Sequence, residues 1–167
     1  MVKEVKGKNI VWEFTNQRKL NKKAFLDYFE RKVFRTIRKY EMMKGSLREI
    51  KIKKGSDLNA YVLKYVLEKK FSVSFSTKGL SFDNLSLVSE EIFGNILGGK
   101  FEGKKPSDDG GMPLYFLSDA EIELYASLVG LKGGKRKSDK HVQELFEKFM
   151  KKNPDLEHNI VNAFSQL

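Results

Sequence analysis

The stretch 48–75 constrains the fold more than any other part of the chain. Arg48–Lys53 alternates polar and apolar residues, Lys54-Gly55-Ser56-Asp57 has turn composition, and Leu58–Leu67 is an apolar-rich run of helix length. A second alternating run, Phe71–Phe75, follows. Strand, helix and strand within roughly 28 residues is the size of a βαβ crossover, which joins parallel strands by a right-handed connection. The sequence therefore predicts an α/β protein with a reduced parallel sheet built around this unit. The turn aims the start of a helix, with its free backbone N–H groups, past the end of a strand, the layout that cradles phosphate.

The flanking segments supply the layers around that sheet. Val2–Val5 and Ile10–Phe14 alternate as two strands of an N-terminal hairpin about Gly7-Lys8, and Arg18–Lys23 reads as a polar connector. Lys22–Met43 is the longest helical signal: Phe25, Phe29, Val33, Ile37 and Tyr40 form one apolar stripe. Arg31, Arg35, Arg38 and Lys39 form a separate basic stripe, which reads either as a solvated face or as a set of phosphate contacts. Leu85–Leu97 is a further helix, and Gly98–Gly111 is a glycine-rich loop carrying Asp108-Asp109. Ser118–Val129 begins with a capping box, Ser118 with Glu121, and stops at Gly130. A basic loop, Lys132–Lys140, leads to two closing helices, His141–Lys152 and Asp155–Phe164, separated by Asn153-Pro154. The expected organisation is a hairpin (1–21), an α/β core (22–131) and a helical segment (132–167).

Composition narrows the chemistry. There is no cysteine, which excludes disulfides, thiolate zinc sites, iron–sulfur clusters and cysteine nucleophiles within these residues. No run reaches the roughly 20 apolar residues that span a membrane, and the first residues hold no apolar signal core, so the expectation is a soluble cytoplasmic protein. The net charge of +10 is uneven. Residues 1–54 carry 17 Lys and Arg against 6 Asp and Glu, whereas the rest of the chain carries 15 against 16. A basic half joined to a neutral half suggests a surface for a polyanion, although a lysine-rich solvated surface has the same composition.

No catalytic constellation stands out. Gly98, Gly103 and Lys104 match the spacing of a phosphate-binding G-x-x-x-x-G-K loop, but they follow a helix and Lys105 stands where the metal-binding Ser or Thr belongs. Asp108 and Asp109 are a carboxylate pair in a Gly, Pro and Ser loop, a setting that usually leaves them solvated. His141 and His158 lie on different helices with no third ligand in reach of spacing arguments.

Several segments, in order, resemble the tRNA-thiolating PP-loop ATPases, the adenine nucleotide α-hydrolase-like family that makes 2-thiouridine and 2-thiocytidine in tRNA. Asn84-Leu85 and the apolar helix through Phe93, Asn95 and Leu97 resemble the segment after the family's last core strand. Met112-Pro113-Leu114 followed by Ser118, Glu121, Ile122, Tyr125, Ala126 and Gly130-Leu131 resembles its K-P-L…E…E-V…Y-A…G-L stretch. Phe146, Asn153-Pro154 and Phe164 resemble its C-terminal end, and Phe25–Tyr40 resembles the basic helix before its nucleotide loop. The resemblance covers most of the chain, through motifs that are individually loose, and members of the family are longer.

The departures fall on functional positions. Where the family carries its zinc knuckle, this chain has Lys3 and Lys6, then approximately Asn21 and Ala24. The S-G-G-K-D-S loop that holds ATP corresponds to Lys53, Lys54, Gly55, Ser56, Asp57 and Leu58, and the acidic pair of N-L-D-D corresponds to Ser86-Leu87. Between Phe75 and Leu80 the chain skips the segment that carries the family's catalytic cysteines. The resemblance thus implies a catalytically inactive relative that binds tRNA or another structured RNA, or partners a full-length tRNA-thiolation enzyme. It implies no cofactor and no metal. The expected RNA contacts are Lys22, Lys23, Arg31, Arg35, Arg38, Lys39, Lys53, Lys54, Lys132, Lys135, Arg136 and Lys137; Gly55, Ser56 and Asp57 are the residual nucleotide turn. Two alternatives are a minimal ATP-dependent tRNA modifier working through that turn with Mg²⁺, and a protein-interaction subunit without RNA binding.

Overall fold

The computed structural model describes residues 9–43 and 49–166. In chain order the elements are β1 (Ile10–Glu13), β2 (Lys19–Asn21), α1 (Lys22–Lys39), β3 (Glu49–Lys53), α2 (Leu58–Glu68), β4 (Ser72–Ser76), α3 (Leu85–Leu97), α4 (Asp119–Val129), α5 (Lys140–Lys152) and α6 (Leu156–Ser165). The central unit forms as expected. β3 and β4 pair in parallel, from Glu49 opposite Ser72 to Lys53 opposite Ser76, with α2 as the crossover. On the other edge of β3, Leu80 makes a single parallel bridge to Ile52 through Lys53 N–H to Leu80 O and Leu80 N–H to Lys51 O, both 2.9 Å. Ile50 and Ile52 of β3 point inward while Glu49 and Lys51 face water, the period-2 alternation of a strand covered on one side.

Helices cover this small sheet in two apolar clusters. The larger joins Phe25, Phe29, Val33 and Ile37 of α1, Val62, Leu63, Val66 and Leu67 of α2, Ile50 and Ile52 of β3, and Ile122, Tyr125 and Ala126 of α4. Phe29 and Tyr125 stack at 4.2 Å between ring centroids, locking α1 to α4. The smaller cluster holds Leu85, Val88 and Ile92 of α3 against Met112 and Tyr115 of the segment before α4 and Val161 of α6. At roughly 25 cal/mol per Å² of buried apolar surface, each fully buried Phe, Leu or Ile contributes about 2 kcal/mol. The capping box of α4 is complete, with Ser118 and Glu121 bonded reciprocally, and Gly130 ends the helix in the left-handed conformation at φ 79°.

Two expectations near the N-terminus need correction. Ile10–Glu13 pairs antiparallel with Lys19–Asn21, inside the stretch read as a connector, so the hairpin lies later in the chain. Val2–Val5 and the Gly7-Lys8 turn lie outside the described residues. The observed turn contains no glycine: Gln17 takes the left-handed conformation (φ 69°) and donates its N–H to Phe14 O, while Phe14 N–H bonds Arg18 O. Leu20 is the single buried apolar residue of β2, too little to announce a strand by alternation. α1 also ends at Lys39, short of Met43. Glu41 turns left-handed at φ 49° and Met42 N–H reaches back to Ile37 O, a Schellman-type close that a non-glycine residue hides in the sequence.

Candidate functional site: the strand-end crevice and the basic faces

The carboxyl ends of parallel strands are where α/β proteins place ligands, and here Lys53, the turn 54–57 and the start of α2 meet there. Asp57 is the N-cap of α2, its carboxylate accepting the Ala60 N–H at 3.1 Å. Leu58 N–H donates to Gly134 O at 2.8 Å. A side chain at Gly133 would fall 2.9 Å from the Leu58 backbone, so a glycine is required where the loop 132–137 lies on the helix start. The phenyl ring of Phe82 covers Gly55 closely enough that an added Cβ would sit 2.4 Å from its Cζ. Two amides of the first turn of α2 therefore already have internal acceptors, and an aromatic ring occupies the space above the glycine. Burial, with Asp83 nearby, pushes the Asp57 carboxyl upward.

A tethered cation stands beside this turn. Lys104 Nζ lies 3.0 Å from Asp109 Oδ2, 3.2 Å from Asp83 Oδ2 and 3.9 Å from Glu91 Oε2. Burial alone would lower its pKa, but these carboxylates outweigh it and hold the ammonium charged. Asp109 is correspondingly lowered by Lys104. Asp109 takes φ 54°, and Asp108 accepts the Lys105 N–H at 2.7 Å. Both acids are exposed, as expected of a pair in such a loop, with Asp109 paired to Lys104 and Asp108 bonded to the loop backbone. Lys104 does not build a phosphate loop with Gly98 and Gly103; Gly103 instead packs on Ile92 and Phe164.

The positions that the resemblance aligns with the family's chemistry carry structural bonds here. Asn21 caps α1 by accepting the Ala24 N–H at 2.8 Å, which joins the two residues aligned with the second zinc-ligand pair. Asn84 caps α3 through Leu87 N–H and donates to Asp119 Oδ1 at 2.8 Å. Ser86 donates to Glu157 Oε1 at 2.7 Å and accepts the Asp119 N–H at 2.9 Å. Arg136 grips Asp119 through Nε and Nη2 and bonds Glu90 at 2.6 Å. Its side chain is only 7% exposed, so it is a buried tie between loop, α3 and α4 and not part of an open basic surface. Burial drives the Glu157 carboxyl up to about 7, with Asp119 and Glu90 adding to the rise and Ser86 and Arg136 opposing it.

The other basic residues singled out by sequence are placed as follows. Lys22, Lys23, Arg31, Arg35, Arg38 and Lys39 are all exposed on α1. Arg31, Arg35 and Arg38 share one face opposite Phe29 and Val33, with Lys39 beside them; Lys22 and Lys23 sit at the far end of the helix. Lys54, Lys132, Lys135 and Lys137 are exposed and Lys53 is half-buried. The contact of Gly134 with Leu58 brings the loop 132–137 to the turn 53–57, a juxtaposition across more than seventy residues of chain. Among the described residues, none of these lysines and arginines other than Arg136 makes an ion pair.

The structure also adds groups that sequence reasoning missed. Lys70 lies over the Phe34 ring of α1 at 4.3 Å and Lys69 pairs with Glu30, so the turn after α2 extends the charge of α1. The Lys69-Lys70 doublet at a helix end was the available signal. A cleft of about 1350 Å³ is lined by Trp12, Tyr28, Lys32, Glu121 and His158. In it Lys32 Nζ bonds Tyr28 Oη at 2.9 Å, which in turn donates to Glu121 at 2.6 Å. Burial lowers the pKa of both Lys32 and His158. The i, i+4 spacing of Tyr28 and Lys32 on α1 was legible, but the arrival of Glu121 and His158 from other helices was not.

A small parallel sheet covered by helices, an antiparallel N-terminal hairpin and a turn-to-helix crevice at the strand ends together define an α/β protein with the fold of a tRNA thiolase. The likeness is to a solved U34-tRNA thiolase, NcsA from Methanococcus maripaludis, with its [4Fe-4S] cluster. The match has a TM-score of 0.76 at 12% identity, over 96% of this chain and 84% of that one. No protein-family model matches the chain, and no curated protein matches it in sequence. The cluster of NcsA has no ligand set here, because these residues include no cysteine. Among the described residues no group of three or more His, Cys, Asp or Glu is placed to hold a metal ion. No described helix is long and apolar enough to cross a membrane.

Proposed function

We propose that this chain is a catalytically inactive relative of the tRNA-thiolation PP-loop ATPases that binds tRNA or another structured RNA in the cytoplasm, alone or beside an active tRNA-modifying enzyme. The observation that carries the reading is the set of exposed cations without ion-pair partners among the described residues. Arg31, Arg35, Arg38 and Lys39 lie on α1, and Lys54, Lys132, Lys135 and Lys137 lie around the turn of α2. Free cations on rigid elements fit the irregular phosphate array of folded RNA. Sulfur relay through the chain itself has no cysteine to use, and the Phe82 ring packs closely over Gly55 of the turn.

Binding of this kind releases counterions. With about four phosphate contacts, affinity for tRNA falls on the order of 100-fold between 50 and 200 mM salt. Reversing Arg35, Arg38 and Lys39 to Glu weakens binding and flattens that salt slope. An affinity indifferent to salt refutes the reading. Calorimetry with ATP and Mg²⁺ addresses the enzymatic alternative through Gly55, Ser56 and Asp57: heat of binding at millimolar nucleotide would replace the inactive reading with that one.

A further inference from the structure

The largest exposed apolar residues are not scattered. Of the six with high exposure, Ile96 (43%), Leu97 (53%), Phe101 (45%) and Phe149 (51%) belong to one end of α3 and the elements against it. Phe149 of α5 meets Phe93 of α3 edge-on at 5.6 Å, one turn before Leu97. The chain then reverses at Gly98-Gly99, where Lys100 N–H bonds Asn95 O and Asn95 Nδ2 bonds Glu102 O. That fold-back lays Phe101 beside the helix end and against Phe164 of α6 at 5.8 Å. The apolar stripe of α3, which buries Leu85, Val88 and Ile92, thus runs on past its packing partners into solvent. Scattered exposed apolar side chains are ordinary, but a contiguous group with a polar rim marks an interaction site.

The rim is predominantly basic, with Glu102 as its exposed acid. On α5, Lys152 and Lys148 fall about 60° and 100° to one side of Phe149, while the acids Glu144 and Glu147 fall about 140–160° away. Lys100 stands beside Phe101 on the reversed segment, with Glu102 the one acid next to it in sequence. Lys100, Lys148 and Lys152 are exposed and, among the described residues, form no ion pair. A second copy of the chain is a poor occupant. A twofold contact through this patch would set lysine rim against lysine rim, on a chain already carrying +10.

We propose that the surface of Phe149, Leu97, Ile96 and Phe101 is a docking site for an amphipathic helix of a partner protein, apolar on the side it buries and acidic along the edge that meets Lys100, Lys148 and Lys152. Amphipathic helices bind apolar surfaces through residues spaced i, i+3, i+4 and i+7, and the acidic edge fixes their orientation. The site lies on α3 and α5, away from the Arg31–Lys39 face, and does not depend on the RNA-binding reading.

The test uses the full chain and a fluorescein-labelled synthetic helix with leucines at that spacing and glutamates along one flank. A comparator keeps the leucines and replaces the glutamates with lysines, and a second comparator scrambles the order. Anisotropy titration is expected to show the acidic helix binding at least tenfold more tightly than either comparator. F149S/L97S is expected to remove binding. K148E/K152E, which leaves the apolar residues in place and guards against a merely unfolded variant, is expected to reverse the preference in favour of the lysine helix. Equal binding of all three peptides, or none at millimolar concentration, overturns the proposal. So does sedimentation showing a dimer that the F149S/L97S change dissolves, or an equal loss of RNA affinity in that variant, which would make the patch a stacking surface for bases.

Discussion

Replacing Glu157 by Gln should stabilise the protein above neutral pH and leave it nearly unchanged near pH 4. Glu157 is 7% exposed at the junction of α6 and α3, where it accepts from Ser86 Oγ and faces the Asp119, Glu90 and Arg136 network. Its carboxyl lies at about 7 against an ordinary 4.5. A carboxyl whose folded value is raised keeps its proton longer in the native state. Its contribution is therefore full below about 4.5 and is lost as pH rises through 7. At 1.36 kcal/mol per pH unit, carrying the ionised group at pH 8 costs the native state about 3 kcal/mol. Gln cannot ionise, and its carbonyl oxygen keeps the bond from Ser86. Urea unfolding followed by the fluorescence of Trp12, the one tryptophan, reads the difference at pH 5, 6, 7 and 8. The expected gap is about 1 kcal/mol at pH 5 and widens to about 3 kcal/mol at pH 8, a midpoint shift of about 1–2 M urea over that range. The opposite drift from His158, whose lowered value costs stability in acid, is common to both proteins and cancels. A gap independent of pH, or a Gln variant less stable at pH 8, would sink this account of burial as the dominant cause.

Two further substitutions test the crevice. Ser86→Asp places an acid at the position that resembles the N-L-D-D pair; it loses the donor to Glu157 and sets a second carboxylate against it, so stability at pH 7 should fall by about 3 kcal/mol or more, with recovery toward pH 5, read by the same urea titration. Lys104→Met strips the cation from Asp83, Asp109 and Glu91; because Lys104 is 35% exposed and solvent screens the pairs, the loss should be only about 1 kcal/mol at pH 7. Asp109 is the lowered group, whose contribution is present above an ordinary carboxylate value and lost as pH falls. The Lys104→Met cost should therefore vanish near pH 3 in thermal melts, and a cost unchanged there would show that packing of the lysine stem, not its charge, was lost.

What could be read from the residues alone was what depends on local pattern. The bounds of α3, Leu85–Leu97, follow from a stripe with Asn84 in front and Gly98 behind. The parallel pairing of β3 and β4 follows from the length of the segment between them, and the start of α4 follows from Ser118 and Glu121. The hairpin partner of β1 was illegible because β2 offers one apolar residue and its turn uses Gln17 in place of glycine. Arg136 was the misleading case. In sequence it is one of four cations in a row of six residues, and only the arrival of Asp119 and Glu90 from other helices turns it inward. Phe82 over Gly55 and Lys104 among three carboxylates were equally hidden, since each joins residues that no spacing rule connects.

These hidden contacts bear on why a phosphate-cradle layout need not imply phosphate chemistry. A strand-turn-helix unit offers anions its unpaired amides, yet here Ala60 N–H is answered by Asp57 and Leu58 N–H by Gly134. The aligned N-L-D-D segment is similarly occupied, with Asn84 and Ser86 joining α3 to Asp119 and Glu157. Where such positions serve as buried structural joints, an acid placed there means burying unpaired charge, which costs several kcal/mol against a total stability of about 5–15. Introducing an acid is therefore costly at Ser86 whatever happens at Gly55. The exposed lysines of the turn and of the loop 132–137 carry no such structural duty, and they can be kept, moved or multiplied at little cost to the fold. The exposed cations, unlike the buried joints, leave the surface free to meet a polyanion under the RNA-binding proposal.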